Sequence, residues 1–185
     1  MPARKLNRRF FNRPADAVAR DLIGCSLIIR NKHKKFELRI VETEAYLGEK
    51  DLACHSAKGR TKRTEVMFGP PGFAYIYLIY GIYQMFNIVC SGKGDPQAVL
   101  IRAAESLSDP KIDLSGPGKF TRALGINRSW NAMDLVGEKV FFCKRPYQAQ
   151  IKRAARIGVD YAGAWAARPL RFFDARSSAL SVRPK

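Results

Sequence analysis

The chain has 185 residues, 46% of them hydrophobic and 11% aromatic, which is typical of one folded domain with its own core. Lys and Arg number 33 against 16 Asp and Glu, so the net charge is +17. The sequence contains no uncharged apolar run of about 18 residues, and its first residues lack the apolar core of a signal peptide. Neither a membrane span nor a secretory leader is therefore expected.

The excess of positive charge predicts a polyanionic partner, with nucleic acid first and an acidic membrane surface second. The basic residues are spread along the chain, which favours a charged face of a folded protein over a disordered arm. A ribosomal protein, or a surface whose charge serves only solubility, fits the same composition. We expect the protein inside the cell, in the bacterial cytoplasm near the nucleoid or, in a eukaryote, in the nucleus.

The cysteine pattern argues against a disulfide framework and a structural zinc site. The cysteines are far apart and form no CxxC pair, so we expect reduced, mostly buried thiols. Cys54 beside His55 could suggest a ligand pair, but adjacent residues rarely converge on one metal. The other histidine, His33, lies in a polar turn. No metal is expected.

The first predicted element is a helix in the segment 10–24. Asn12 can cap it, Pro14 suits its first turn, and Gly24 can end it.

Two strands and a long loop follow this helix. Residues 25–30 and 36–46 read as strands, and the polar turn 31–35 between them makes a hairpin the simplest interpretation. The loop 47–72 is polar and rich in Gly, Lys and Arg. A loop of this length in a compact domain is usually functional or mobile.

The second of these strands has an unusual pattern. Its even-numbered positions are apolar up to Ile40. The next three are Glu42, Glu44 and Tyr46, and residues two apart share a face of a strand. Either the strand kinks, or a carboxylate is held at the edge of an apolar pocket, where it becomes a stronger base. Alternatively, both glutamates lie past the strand end in solvent, or pair with arginines.

Residues 73–90 are the most apolar part of the chain, and their aromatic and β-branched content predicts strands. Gly81 at the first central position of a two-residue turn permits a type II′ hairpin with Ile82 second. Tyr80 and Tyr83 then flank the turn. If the tip is exposed on a basic surface, it resembles a wedge that enters a DNA groove. If it is buried, these tyrosines are core residues.

Residues 98–105 read as a buried strand that carries one charge, Arg102. A charge within an apolar strand needs a partner, and Glu44 or Glu42 is the obvious type. A helix is predicted from about Lys119, with Gly125 as its end signal.

The C-terminal third contains a predicted strand at 138–143 and an irregular basic and aromatic segment at 156–173. Together these elements predict an α+β fold. We expect a single mixed domain over residues 1–185 with a curved, mainly antiparallel sheet, flanking helices and a protruding β-hairpin. The ends, 1–9 and 175–185, are expected to be loose.

Several long motifs occur in an order that resembles the alkyladenine (3-methyladenine) DNA glycosylase family. The resemblance runs from Phe10 to Phe173. Its motifs are VETEAY, HSAKGRT, PGFAYIYLIYGIYQMFNIV, VLIRAAE, GPGKFTRALGIN and RIGVDYAGAWAARPLRF.

The resemblance implies a monofunctional base-excision enzyme without metal or cofactor. Such an enzyme removes alkylated or deaminated purines from double-stranded DNA and leaves an abasic site. A monomer is the default expectation.

The resemblance also implies the catalytic and base-binding residues. Glu44 matches the general base that activates water, and Arg102 matches the basic residue that helps to hold Glu44 and the water. Tyr46 and Tyr77 match the aromatic residues that stack on the flipped base, with His55 between them.

Two further matches concern DNA and selectivity. Tyr80 matches the residue that intercalates and fills the gap left by the base. Asn87 matches a residue that would clash with the amino group of guanine. Glu42 is expected to be structural, with a backbone or arginine partner.

From the basic surface we also select candidates for DNA-backbone contacts, for which a solvated surface charge is the alternative. These are Arg60, Lys62, Arg63, Lys119 and Arg122.

Two other functional classes fit the charge and the tyrosines. One is a non-catalytic module that binds nucleic acid, and the other is an RNA-binding or ribosome-associated protein.

Overall fold

The computed structural model describes residues 4–30 and 34–183. Its strands are β1 Arg4–Lys5, β2 Ser26–Arg30, β3 Lys35–Tyr46, β4 Ala74–Ile79, β5 Tyr83–Cys90, β6 Gln97–Ser106, β7 Val140–Lys144, β8 Ile151–Ala154 and β9 Arg171–Asp174. Its α-helices are α1 Arg8–Phe11, α2 Ala15–Leu22 and α3 Pro117–Ala123. Short 3₁₀ helices lie at Gly48–Lys50, His55–Lys58, Glu65–Phe68, Arg128–Trp130 and Asp160–Trp165.

Within these ranges the nine strands form one sheet in the order β1-β7-β2-β3-β6-β5-β4, and β9 pairs with both β3 and β8. The ladders between the strands are antiparallel. This confirms the expected α+β fold with a mainly antiparallel sheet. The predicted β2–β3 hairpin is also present, although residues 31–33 of its turn, and with them His33, lie outside the described residues.

The predicted helix over 10–24 is in fact two helices, α1 and α2. Asn12 does not cap α2, because the N-cap position of that helix is Pro14, whereas Asn12 ends α1 and its N–H donates to Arg8 O over 3.0 Å. Pro14 precedes α2 with φ −50° and ψ 138°, outside the helical region, and a residue before a proline is also disfavoured in that region, so the chain breaks there. Gly24, with φ +85°, follows α2 as expected.

Bulges in β3 and β6 explain the unusual pattern of β3. Ile40 pairs with Ala104 and Thr43 with Ile101, so successive pairs that face the main core are three positions apart on each strand instead of two. Thr43 lies on this core side, where its hydroxyl donates to Ala19 O of α2 over 2.9 Å. The strand therefore kinks, and the alternation changes by one residue.

Because of this change, Glu44 does not continue the face of Leu38 and Ile40. Ala45 takes the place in the main core, and Glu42, Glu44 and Tyr46 point to the opposite side of the sheet. The kink is one of the alternatives that the sequence left open, and it moves Glu44 off the face of Leu38 and Ile40. The bulge turns the carboxylates away from the core without ending the strand.

The two faces of the sheet have different coverings. On the first face, Phe86 and Ile88 of β5 pack in the main core with Phe120 of α3. On the second face, the loop 47–72 packs Cys54, Met67 and Phe68 against alternate strand residues, which are Tyr75, Val89 and Ala98. The long loop is thus a cover over the second face.

The β4–β5 hairpin has a three-residue loop where a two-residue turn was predicted. Ile79 pairs with Tyr83, so the loop is Tyr80, Gly81 and Ile82, and Ile82 N–H donates to Ile79 O over 3.2 Å. Tyr80 and Gly81 both have positive φ, 52° and 71°. A side chain at φ 52° is unusual and places Tyr80 at the apex.

Both described ends of the chain make defined contacts, although loose ends were expected at 1–9 and 175–185. Strand β1 pairs with β7. Near the other end, Ser181 N–H donates to Glu42 Oε2 over 2.6 Å.

The four cysteines are free thiols, and their expected burial is confirmed. No helix in the described ranges is long and apolar enough to cross a membrane.

Candidate active site

A cavity of about 390 Å³ opens on the second face of the sheet, between β4, β5, β6 and the loop 47–72. Its volume falls within the range of small-molecule pockets, about 300–1,000 Å³. The lining includes six of the residues selected from the sequence, namely Tyr46, His55, Tyr77, Tyr80, Asn87 and Arg102. The fold therefore brings together residues that are as much as 56 positions apart in the chain.

Glu44 lies directly behind the wall of this cavity and is fully buried. Its Oε1 accepts from Ile157 N–H over 2.8 Å and lies 3.2 Å from Arg102 Nη1. Its Oε2 accepts from the Tyr46 hydroxyl over 2.8 Å. These three partners all line the cavity, so the carboxylate is oriented toward it from beneath.

Arg102 connects Glu42 and Glu44 of β3. Besides its ion pair with Glu44, its Nε donates to Glu42 Oε1 over 3.1 Å. Burial would lower the pKa of Arg102, but the carboxylates of Glu44 and Glu42 outweigh this effect and raise it. The guanidinium is therefore charged, and the arginine partner expected for Glu42 is confirmed.

Aromatic side chains form much of the cavity wall. Tyr46 and Tyr77 both line it, and each carries a guanidinium over its ring, Arg156 at 4.8 Å and Arg63 at 5.3 Å. Burial raises the pKa of Tyr46 well above its usual value, and the Glu44 carboxylate raises it further. Burial likewise raises the pKa of Tyr77. Both hydroxyls are therefore protonated, and that of Tyr46 can act only as a donor to Glu44.

His55 lies edge-on to Tyr77, with ring centroids 4.4 Å apart. Its Nδ1 lies 3.0 Å from the Tyr75 hydroxyl, and Arg63 Nη2 is 3.4 Å from its Nε2. Burial lowers the pKa of His55 to about 4, with Arg63 and Lys58 acting in the same direction. The imidazole in the cavity is therefore neutral at physiological pH.

This neutrality can be measured by NMR. We expect the His55 ring resonances to titrate with a midpoint near 4, against about 6.5 for an unperturbed histidine. The chain has two histidines, so a His33→Gln variant leaves His55 alone in the spectrum. A midpoint near 6.5 in that variant would contradict the burial argument.

Asn87 is buried at the floor of the cavity, where β5 pairs with β6. Its Nδ2 donates to Tyr75 O over 3.1 Å and to Met85 O over 3.3 Å. Both amide hydrogens are thereby used, and the side chain is fixed. The atom that remains for a ligand is the amide oxygen, which is an acceptor only.

The hairpin apex stands at the rim of the cavity. Tyr80 is 83% exposed although it also lines the cavity. Tyr83 is held against α3, because a Cβ at Gly118 would lie 2.6 Å from its ring. Glycine at this position lets the helix support the base of the hairpin while the apex remains exposed.

The selected basic residues are all exposed, but they differ in their ion pairs. Arg60 pairs with Glu65, and Lys119 Nζ lies 2.9 Å from Asp113. Within the described residues no ion pair is recorded for the remaining three, Lys62, Arg63 and Arg122. These three are the stronger candidates for contact with phosphate.

Three contacts of the site were missed in the sequence. The N–H of Ile157 binds Glu44, and Ser181 binds both Glu42 and Arg102. Arg156 forms a buried ion pair with Asp51 behind Tyr46. Backbone donors, and pairs of residues far apart in the chain, leave no pattern in the sequence. The opposite charges of Asp51 and Arg156 were the one signal that could have suggested their pairing.

Residues 4–30 and 34–183 contain no group of His, Cys, Asp or Glu side chains suited to a metal ion.

A buried Glu–Arg pair beside an aromatic cavity is typical of an enzyme active site. Residues 9–178 match the family model for methylpurine-DNA glycosylase (MPG). The chain belongs to the methylpurine-DNA glycosylase family, which confirms the resemblance found in the sequence.

Similar proteins cover nearly the whole chain, and each is named "Putative 3-methyladenine DNA glycosylase". A protein of Myxococcus xanthus (strain DK1622) is 46% identical, and the match covers 97% of this chain and 94% of that protein. One of Methanocella arvoryzae is 45% identical, with 96% of each chain covered. One of Legionella pneumophila (strain Corby) is 45% identical, with 92% of this chain and 94% of that protein covered.

Proposed function

We propose that this protein flips an alkylated or deaminated purine out of duplex DNA into the aromatic cavity. A water activated by Glu44 then hydrolyses the N-glycosidic bond and leaves an abasic site. Membership of its family makes the chain a DNA glycosylase of the 3-methyladenine type, a hydrolase acting on N-glycosyl bonds. The observation that supports the finer mechanism best is the buried Glu44–Arg102 pair beside the cavity.

Glu44 has the contacts that a general base needs. Ile157 N–H donates to Oε1, and Arg102 Nη1 lies 3.2 Å from the same oxygen, so the carboxylate is held in place. Oε2 accepts the Tyr46 hydroxyl, and a carboxylate oxygen has a second lone pair that can hold a water. An ionised Glu44 can take a proton from that water and stabilise the positive charge that develops on the sugar.

The aromatic walls account for binding of the base. Stacking on tyrosine contributes roughly 1–3 kcal/mol per base, which recovers part of the stacking lost on flipping. A cationic alkylated purine gains about 0.5–2 kcal/mol more against an aromatic face. Tyr46 and Tyr77 are the two walls, and His55 is a neutral neighbour that does not repel such a base.

Asn87 is the proposed filter against normal guanine. Its amide is fixed by two backbone carbonyls, so it cannot move aside for a larger base. The exocyclic amino group of guanine would clash with it, whereas bases without that group fit.

Tyr80 is the proposed wedge. An exposed tyrosine at the apex of a hairpin, on a protein with a net charge of +17, can enter the minor groove and fill the space of the flipped base. Lys62, Arg63 and Arg122 are the proposed phosphate contacts, and binding is expected to weaken steeply with salt.

The proposal is tested by single-turnover excision from a short duplex with one hypoxanthine or ethenoadenine, followed by alkali cleavage of the product. We expect cleavage at the lesion and none in a matched duplex with adenine. A non-catalytic module would bind the lesion duplex without cleavage. An RNA-binding protein would be displaced from the duplex by RNA.

The Tyr80→Ala variant tests the wedge. We expect excision from duplex to slow by about tenfold or more, because a filler of the gap is lost. Excision of the same lesion from a single strand should change less than about twofold, since no base pair must be opened. The melting temperature should not change, because the side chain is exposed.

Leu107→Ala is the matched control, since Leu107 is also an exposed apolar residue and lies beyond the far end of β6. It should excise like the wild type on both substrates. An equal loss of rate on duplex and single strand in Tyr80→Ala would contradict the wedge.

A further inference from the structure

The C-terminal segment 177–183 lies against the ion pairs behind the cavity. The Ser181 hydroxyl donates to Glu42 Oε1 over 2.8 Å, and the Ser181 N–H donates to Oε2 of the same carboxylate. The hydroxyl oxygen also accepts from Nε and Nη2 of Arg102, both over 3.1 Å. One hydroxyl therefore joins Glu42 to Arg102.

These contacts fix the direction of the Arg102 guanidinium. Its donors form a rigid planar fork, so holding Nε and Nη2 also fixes Nη1. Nε is bound to Glu42 and Ser181, and Nη2 is bound to Ser181. The remaining Nη1 lies 3.2 Å from Glu44 Oε1.

The same buried ion pairs also anchor the C-terminal segment 177–183. Arg171 Nη1 donates to Glu42 Oε1 and to Val182 O, each over 3.0 Å. Two carboxylates, Glu42 and Glu44, thus face two guanidinium groups, Arg102 and Arg171, and all four are buried. The opposite charges of these four buried groups fix one another's orientation, so the position of each group depends on the other three.

We infer that Ser181 is a positioning residue of the excision reaction, because its hydroxyl, together with Glu42, holds Arg102 with Nη1 toward Glu44. The C-terminal segment is then part of the active-site framework. This inference rests on the proposed function, since Ser181 acts on the proposed general base, Glu44, through Arg102.

The test is single-turnover excision by the full chain, with the duplex affinity measured separately. We expect Ser181→Ala to excise about tenfold more slowly, because a hydrogen bond to a charged group is lost, with an unchanged Kd for the duplex. Ser181→Thr keeps the hydroxyl and should restore the rate to within about twofold. Ser178→Ala is the matched control, since Ser178 is an exposed serine of the same segment.

A double-mutant cycle separates positioning from a structural role. In an Arg102→Lys background the fork is absent, so Ser181→Ala should cause no further loss of rate. An equal loss in both backgrounds would overturn the inference. So would a wild-type rate in Ser181→Ala, or a loss confined to Kd or melting temperature.

The outcomes also separate this inference from the proposed function. If Glu44→Gln loses excision while Ser181→Ala does not, only the role of Ser181 is overturned. If the wild type excises none of the damaged purines, both are overturned.

Discussion

We expect Glu44→Gln to lose excision by a factor of about 10³ or more while DNA binding is kept or strengthened. The loss combines general-base catalysis, about 10²–10⁴, with the lost electrostatic stabilisation of the sugar cation. Glutamine is nearly isosteric and can still accept from Ile157 N–H, so the local structure should be preserved. Removing a negative charge from the cluster cannot weaken attraction to phosphate.

The measurement is a single-turnover rate on a lesion duplex together with a binding titration on the same duplex. Glu49→Gln is the matched control, because Glu49 is an exposed glutamate just beyond the same strand. It should excise at the wild-type rate. Equal activity of Glu44→Gln and wild type would remove Glu44 from the mechanism and return the non-catalytic module to first place.

Strands β2 to β7 could be predicted because period-two alternation and β-branched content mark them directly, whereas β1, β8 and β9 were not predicted, and β9 lies largely in the segment expected to be irregular. The face on which Glu44 lies could not. A bulge inserts one residue without a sequence signature of its own, and in β3 it exchanges the two faces at Glu42. The turn of the β4–β5 hairpin was misplaced for a related reason, since Tyr80 adopts a positive φ that glycine would be expected to take.

The site residues that could be predicted were those within distinctive motifs, such as Glu44 in VETEAY and Arg102 in VLIRAAE. Those that were missed act over long separations or through the backbone. Ile157 N–H reaches Glu44 across 113 residues, and Ser181 reaches Glu42 across 139. Such contacts exist only after the chain has folded, and the segment that contains Ser181 looked like a loose tail.

The buried pair Asp51–Arg156 has the largest expected effect on stability. Both side chains are fully buried, and Arg156 donates to both oxygens of Asp51 and to Ala45 O. Asp51 also accepts from the N–H groups of Leu47 and Ala53. The pair therefore fastens the start of the long loop to the end of β3.

We expect Arg156→Met to lower the free energy of unfolding by about 3–5 kcal/mol, because Asp51 then stays buried without a counter-charge. The free energy of unfolding of a small domain is about 5–15 kcal/mol, so a loss of this size is a large fraction of it and should be measurable by urea denaturation. The double variant Asp51→Asn with Arg156→Met should lose less than the sum of the single changes.

The control is Arg60→Met, which breaks an ion pair exposed to solvent and should leave the unfolding midpoint unchanged. A loss in Arg156→Met no greater than in Arg60→Met would contradict the argument.

Arg156 also lies 4.8 Å from the centre of the Tyr46 ring, on which the base is proposed to stack. The stability of the loop and the orientation of the cavity wall therefore depend on the same guanidinium, and Arg156→Met should weaken lesion binding even where the protein is folded.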